Sequence, residues 1–259
     1  SIRLILFYLM SITLIIPCYN EIVNIQKGVL DKVGNFVKND DRFVEVLIVD
    51  DGSTDKTVDK IRKSYIAQNP KFRLIENAHQ GKAFAVLTGI KEAKGEYVLF
   101  SDFDLATPLE ESEKLIARAV EGAEIIIGSR SGRRKGAPLL RRIMAVGWIT
   151  LRSLVIGLPS ITDTQCGFKM YKTAAARDIV ERMIVYKNGT VVHGPSVSAG
   201  FDLEMLFIGA RLGYRLEEVH VIWRHAASKR VTFFRDSVRG LEDLYAFKIH
   251  LLKGDYNFS

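Results

Sequence analysis

The chain has 259 residues, 47% of them hydrophobic and 26% charged, with a formal net charge of +7. That length buries a full core as one large α/β domain or a domain with an appendage, and the mixture excludes a disordered or fibrous chain. Two cysteines, Cys18 and Cys166, supply neither a disulfide framework nor a zinc-ligand cluster, whereas the positive charge calls for nucleic acid, a nucleotide or an acidic membrane as partner.

Leu4 to Asn20 carries no charge, yet it is shorter than the roughly 20 apolar residues of a spanning helix, and Pro17 interrupts it. Ile12 to Ile16 reads better as a core strand. Met10 is a candidate start with Ser1 to Leu9 an upstream remnant, a truncated membrane anchor is the alternative, and no cleavable signal peptide is evident.

After Pro17-Cys18-Tyr19-Asn20-Glu21 the pattern predicts a helix to about Lys38, then a strand over Phe43–Val49 that ends in Asp50-Asp51-Gly52-Ser53. Asp55 or Thr54 caps a helix carrying Val58, Ile61 and Tyr65. A strand over Phe72–Ile75, a helix over Gly81–Ala93, a strand over Tyr97–Ser101, a helix over Pro108–Glu121 and a strand over Glu124–Ile127 follow. This close alternation predicts a mostly parallel sheet with right-handed crossovers, and each polar cluster follows a strand, so the clusters can meet at its carboxyl edge.

Beyond Gly128-Ser129-Arg130 comes a basic loop with Arg133, Arg134 and Lys135. Pro138–Leu158 then reads as an apolar helix with Arg141 and Arg152 on one line, suited to a membrane interface or to a core with snorkelling arginines. Thr173 to about Met183 reads as a helix, Tyr186–Ala199 as a mobile loop, Phe201-Asp202-Leu203-Glu204 as a helix start and Leu216–Trp223 as a strand. A basic, aromatic tail from Lys229 runs into an amphipathic stretch with Leu241, Leu244, Tyr245 and Ile249.

Three clusters carry candidate chemistry. Asp102 and Asp104 follow a buried strand; on extended backbone, residues two apart share a side, so both carboxylates can meet one hard cation. The plain alternative is a helix-capping turn, with Thr107 as cap and Pro108 at the first helical position. Asp50 and Asp51 suit a base N–H or ribose hydroxyl, or turn chemistry. Gly81-Lys82 can approach a phosphate, although neither GxxxxGK[ST] nor GxGxxG is present. Ala106 stands where a haloacid-dehalogenase phosphatase carries Thr or Val. Positive charge concentrated beside apolar helices argues against a nucleic-acid module, and the five histidines, His79, His193, His220, His225 and His250, read as solvated or core residues.

Pro17-Cys18-Tyr19-Asn20-Glu21, Val49-Asp50-Asp51-Gly52-Ser53, Asp102-Phe103-Asp104 and Gly128-Ser129-Arg130, in this order, resemble family 2 glycosyltransferases of the GT-A fold. Asp163-Thr164-Gln165-Cys166-Gly167-Phe168-Lys169 and Phe201-Asp202-Leu203-Glu204 look most like the dolichyl-phosphate β-glucosyltransferases and their polyprenyl-phosphate relatives. No Q-x-x-R-W motif of processive synthases is present. The resemblance implies a mostly parallel GT-A sheet flanked by helices, with a C-terminal interfacial helical region. Residues 11–130 would form the nucleotide-sugar half, 131–230 the acceptor half and 231–259 an amphipathic tail.

It implies further that Pro17, Tyr19, Glu21, Asp50, Asp51, Lys82 and Asp102 bind the nucleotide sugar, and that Asp102 and Asp104 hold Mg²⁺ or Mn²⁺. Gln165, Gly167, Asp202 and Glu204 would meet the sugar, with Asp104, Asp202 and Arg130 catalytic. A hydroxyl acceptor needs a general base, whereas a lipid phosphate is already ionised and needs cations. Arg130, Arg133, Arg134, Arg141, Lys229 and Arg230 would supply them. The implied activity is inverting transfer of a hexose, glucose from UDP-glucose first, to a polyprenyl phosphate at the cytoplasmic face of a membrane, with no nucleic acid involved. GDP-mannose as donor, or a silent membrane-bound scaffold, is the alternative.

Overall fold

The computed structural model describes residues 7, 9–130, 161–186, 200–224, 245–256 and 258. The basic loop with Arg133 and Arg134, the apolar helix with Arg141, the 187–199 part of the expected loop, and Lys229 and Arg230 lie outside the described residues.

Seven strands form one sheet in the order β3-β2-β1-β4-β6-β5-β7. They are β1 (Ile12–Cys18), β2 (Phe43–Asp50), β3 (Phe72–Glu76), β4 (Tyr97–Phe100), β5 (Ile125–Arg130), β6 (Lys169–Lys172) and β7 (Leu216–Val221). Each has apolar residues on both faces, as a sheet covered twice requires. Ile15, Leu47, Val49, Val98, Phe100, Ile125 and Ile127 enter one core. Their alternating neighbours Leu14, Ile16, Val46, Ile48, Leu99 and Ile126 enter the other.

Helices α1 (Ile22–Gln26), α2 (Val29–Lys38), α3 (Thr57–Ile61), α4 (Lys82–Glu92), α5 (Ser112–Val120), α6 (Thr173–Arg182) and α7 (Gly200–Arg211) join the strands. Residues 245–253 form a further helix, α8. α4, α6, α7 and α8 contribute to the first core, α2 and α5 to the second.

Several boundaries differ from the sequence reading. The helix expected up to Lys38 is two helices, because Gly28 takes φ +75° between them, a conformation that favours glycine. Tyr65 lies on a π-helical turn, Arg62–Ile66, that follows α3. Asp55 Oδ1 accepts the Thr57 N–H at 2.9 Å, so Asp55 rather than Thr54 steadies the start of α3. Pro108 itself takes the cap position before the 3-10 turn Leu109–Glu111, and no side-chain capping bond forms there.

The larger difference is β6. The sequence pattern gave no strand between Ile161 and Thr173, yet Lys169–Lys172 inserts antiparallel between β4 and β5. Running backwards, it places its amino end at the carboxyl edge of the sheet, with Lys169 paired to Phe100. The segment Ile161–Phe168 is thereby delivered to the edge where β1, β2, β4 and β5 all end.

Candidate active site

β4 stops at Phe100, and the chain then turns instead of staying extended. The Leu105 N–H donates to the Asp102 carbonyl at 3.1 Å, and Leu105 takes φ +50°. The two aspartates therefore sit on a turn, not on one side of a strand. Asp104 Oδ1 accepts the Ala106 N–H at 3.0 Å, the side-chain-to-backbone bond typical of such turns. Asp102 Oδ1 pairs with the Lys82 ammonium at the start of α4.

Around this turn lies a small cleft lined by Pro17, Lys82, Phe100, Ser101, Asp102, Gly167, Lys169, Phe201 and Asp202. Gly167 is there for a steric reason. A Cβ at this position would stand 2.2 Å from Asp102 Oδ2, so only glycine lets the carboxylate lie where it does. Lys169 is almost fully buried, and its Nζ donates to the Cys166 carbonyl and to Asp202 Oδ1, both at 2.6 Å. A buried ammonium is tolerable only with such partners.

The charges in the cleft shape one another. Burial pushes the Asp102 carboxyl up, but the Lys82 ammonium, with Lys169 and Arg130 behind it, outweighs this and holds it below the usual range. Burial acts on Asp202 too, and there it wins over Lys169, leaving that carboxyl raised. For Lys82, Asp102, Asp202 and Asp104 together overcome desolvation and raise the ammonium.

Arg130, at the end of β5, donates through Nε and Nη2 to the two oxygens of Asp163 at 2.7 and 2.8 Å. Burial raises the Asp163 carboxyl, and this bidentate bond more than reverses the effect. The Asp163 N–H, with that of Thr162, is held by Glu218 on β7. Asp163 engages two of the five guanidinium donors. The indole of Trp223 lies 5.8 Å from the guanidinium carbon.

On the other side of β1, Asp50 and Asp51 are both buried. Asp50 accepts the Ser53 N–H at 2.8 Å and closes the Gly52-Ser53 turn. Asp51 anchors the loop before α4: Oδ1 accepts the Gln80 N–H, and Oδ2 accepts the Gly81 N–H and meets His79 Nδ1, each at 2.8 Å. His79 in turn stacks on Tyr19 with ring centroids 4.2 Å apart and planes 6° from parallel. Glu21, also buried, accepts from Asn24 Nδ2 at 2.5 Å, and its N–H donates to Thr57. Asp51 thus fixes the loop from which Lys82 reaches Asp102.

The structure brings Pro17, Lys82, Asp102, Gly167 and Asp202 into one cleft. It places Tyr19, Asp51 and His79 together beside it, and leaves Gln165 exposed. Glu204 is directed elsewhere. Its Oε1 accepts from the Ile184 and Val185 N–H groups at 2.7 and 3.0 Å and from the Tyr256 hydroxyl at 2.8 Å, and the residue is buried. Residues 202 and 204 are about 200° apart around a helix, so both cannot face one cleft.

Sequence reasoning missed Lys169, Asp163 and His79 as site groups. Lys169 had a legible signal, a single charge inside the apolar run Phe168-Lys169-Met170-Tyr171. His79 had a weaker one, lying three residues before Lys82 in the same loop.

Asp102 and Asp104 fit a divalent cation of a particular kind. Among the described residues no group of three or more His, Cys, Asp or Glu side chains gathers. Two carboxylates on one turn, Asp102 with a side chain 41% exposed, suit a hard cation that completes its shell with water and substrate phosphates.

A family model described as glycosyl transferase family 2 matches residues 13–180. The dolichyl-phosphate β-glucosyltransferase of Saccharomyces cerevisiae is 30% identical over 267 residues, covering 95% of this chain and 76% of that protein. Among solved structures, glucosyl-3-phosphoglycerate synthase of Mycobacterium tuberculosis with UDP aligns at TM-score 0.62 and 19% identity, over 92% of this chain and 80% of the other. A mannosyltransferase from Pyrobaculum calidifontis, solved with GDP-Man and Mn²⁺, aligns at TM-score 0.59 and 20% identity, over 93% and 64% of the two chains. The fold is GT-A, and from β1 into α6 the match follows the strands whose ends build the cleft: the chain belongs to glycosyl transferase family 2.

Proposed function

We propose that this chain is an inverting hexosyltransferase that moves glucose from UDP-glucose to a dolichyl or other polyprenyl phosphate at the cytoplasmic face of a membrane. The name of the yeast relative supports the donor sugar and the acceptor class. The observation that carries the chemistry is the Lys169–Asp202 pair in the cleft. Asp202 stands on the first turn of α7, but a buried ammonium already holds its carboxylate. Burial raises that carboxyl, yet its Oδ1 is committed to the Lys169 ammonium, which suits orienting and charge compensation. A phosphate acceptor asks for no base, because its oxygen arrives ionised.

In this reading the stacked Tyr19–His79 pair and the Asp51 loop form the nucleoside side of the cleft. Lys82 stands at the diphosphate, where its ammonium trades contact with Asp102 for phosphate oxygens. Asp102 and Asp104 would hold Mg²⁺ or Mn²⁺, which supplies Lewis-acid neutralisation of the departing diphosphate. Arg130, oriented by Asp163, offers its remaining donors to the acceptor phosphate. The acceptor oxygen bonds to the anomeric carbon as the carbon–oxygen bond to UDP breaks, and configuration inverts. No helix among the described residues is long and apolar enough to cross a membrane.

The test is a panel of UDP-glucose, GDP-mannose and other nucleotide sugars with a short polyprenyl phosphate, with and without Mn²⁺. We expect UDP-glucose to be used, Mn²⁺ to be required, and Asp104→Ala to abolish transfer with the fold intact. Near-normal transfer by Asp104→Ala, or a preference for GDP-mannose, overturns the reading.

A further inference from the structure

A second feature stands at the same edge of the sheet. β7 is an edge strand that ends at Val221, and Ile222, Trp223 and Arg224 follow it as an exposed tip, with Ile222 54% and Trp223 42% accessible. Large apolar side chains exposed next to one another mark a candidate contact surface. The tip is not a fraying end. The Ile222 N–H donates to Glu111 Oε2 at 3.0 Å, and the Arg224 N–H donates to the Ala106 carbonyl at 2.7 Å. Lys114 Nζ reaches the His220 carbonyl just before it.

These bonds fix the tip beside the turn that carries Asp104, since Ala106 accepts from the Arg224 N–H and donates to Asp104 Oδ1. In the sheet, Val221 pairs with Arg130, and the Trp223 indole lies against the Arg130 guanidinium. The exposed Arg224, and Arg130 with three guanidinium donors beyond those it gives to Asp163, therefore adjoin an exposed Ile-Trp pair, on a chain of net charge +7. Apolar tips with an amphipathic indole and basic neighbours suit a boundary that is apolar below and anionic above.

We infer that Ile222, Trp223 and Arg224 form a tip that seats on an anionic phospholipid surface. The two apolar side chains enter the headgroup layer, and Arg224 stays at the level of the lipid phosphates. The inference rests on the reading of the acceptor as a membrane-borne lipid phosphate, and adds where the protein touches the bilayer. The contact brings the mouth of the Asp102 cleft to headgroup depth. Two side chains alone give a weak, reversible hold, suited to an enzyme that must release a lipid product.

The chain has two tryptophans, so Trp148→Phe leaves Trp223 as the only indole. In that background, vesicles of phosphatidylcholine with phosphatidylserine should shift the emission to the blue, and phosphatidylcholine alone should do so less. Ile222→Asp should weaken sedimentation with anionic vesicles about tenfold, by losing apolar burial and adding repulsion. Its circular dichroism and its turnover of a water-soluble short-chain polyprenyl phosphate should be unchanged. Binding with no blue shift, no binding at all, or Ile222→Asp binding like the parent overturns the inference, and an equal shift on neutral vesicles overturns the role of Arg224. Vesicle binding without turnover of any nucleotide sugar would sink the enzymatic reading and leave the tip standing; turnover without a blue shift would do the reverse.

Discussion

Gly167→Ala isolates the geometry of the cleft from the stability of the fold. The Cβ it adds would lie 2.2 Å from Asp102 Oδ2 and 2.6 Å from Oδ1, where ordinary contact begins at 3.4 Å. The carboxylate must therefore retreat by about 1 Å, and displacement of that order can cost about 10²-fold in rate. Retreat is possible, since the Asp102 side chain is 41% exposed, but it strains the pair with Lys82. The backbone of Gly167 is not in the left-handed region. Alanine there restricts the unfolded chain, a gain of about 0.4–1 kcal/mol that offsets the crowding. We expect kcat/KM with UDP-glucose to fall about 10²-fold while the thermal midpoint moves by no more than about 4 °C, the shift that about 1 kcal/mol gives a domain of this size. Steady-state kinetics and calorimetry on the same preparation decide it. Parental kcat/KM would show that the position of Asp102 is not critical. Loss of folding would show that Gly167 serves the core and not the site.

Two further predictions concern buried charge. Lys169→Met leaves Asp202 without its ammonium in a site where the two side chains are 1% and 11% exposed, and breaking such a pair costs about 3–5 kcal/mol. Adding Asp202→Asn should recover part of that loss, so a double-mutant cycle in urea gives strong coupling; strictly additive effects would count against the pair. The Arg130–Asp163 bond makes a prediction about acid. Because it holds the folded carboxyl of Asp163 below its unfolded value of about 3.9, its stabilisation is complete above that value and is lost as pH falls through the folded one. Urea midpoints of Asp163→Asn between pH 6 and 3 should therefore fall less steeply than those of the parent. Asp202, raised by burial, acts with the opposite sign in both proteins and cancels in the comparison. Identical acid limbs would refute the role of the bond.

The strand ends were legible because they are local. Val46–Val49 and Tyr97–Phe100 are apolar runs closed by carboxylates, and β1 through β4 lie where that pattern places them within a residue or two, while β5 runs three residues further, to Arg130. Burial on both faces leaves such a run few alternatives to a covered sheet. The order of motifs along the chain was enough to suggest the family and the edge at which Asp102, Asp104 and Lys82 would stand. Period and capping chemistry reach only a few residues, however, and they misjudged the turn at Asp102. The reading of two carboxylates on extended backbone fails at Asp102, the second residue after β4, where a hydrogen bond from Leu105 bends the chain.

Only the tertiary structure decided what each charge faces. Lys169 and Asp202 are 33 residues apart, as are Arg130 and Asp163, and Asp51 and Gly81 are 30 apart. Pairings of that kind depend on sheet order, and here on β6, a four-residue antiparallel insertion with no alternation long enough to announce it. The same holds for Glu204, which looks like a second site carboxylate in Phe201-Asp202-Leu203-Glu204 until the helix turns it towards Ile184, Val185 and Tyr256. Sequence determined the first five strands, the edge at which they end and the family, because burial and turn chemistry are written residue by residue. The partners of the buried charges were settled by packing, because desolvation acts on a group only once distant segments have closed around it.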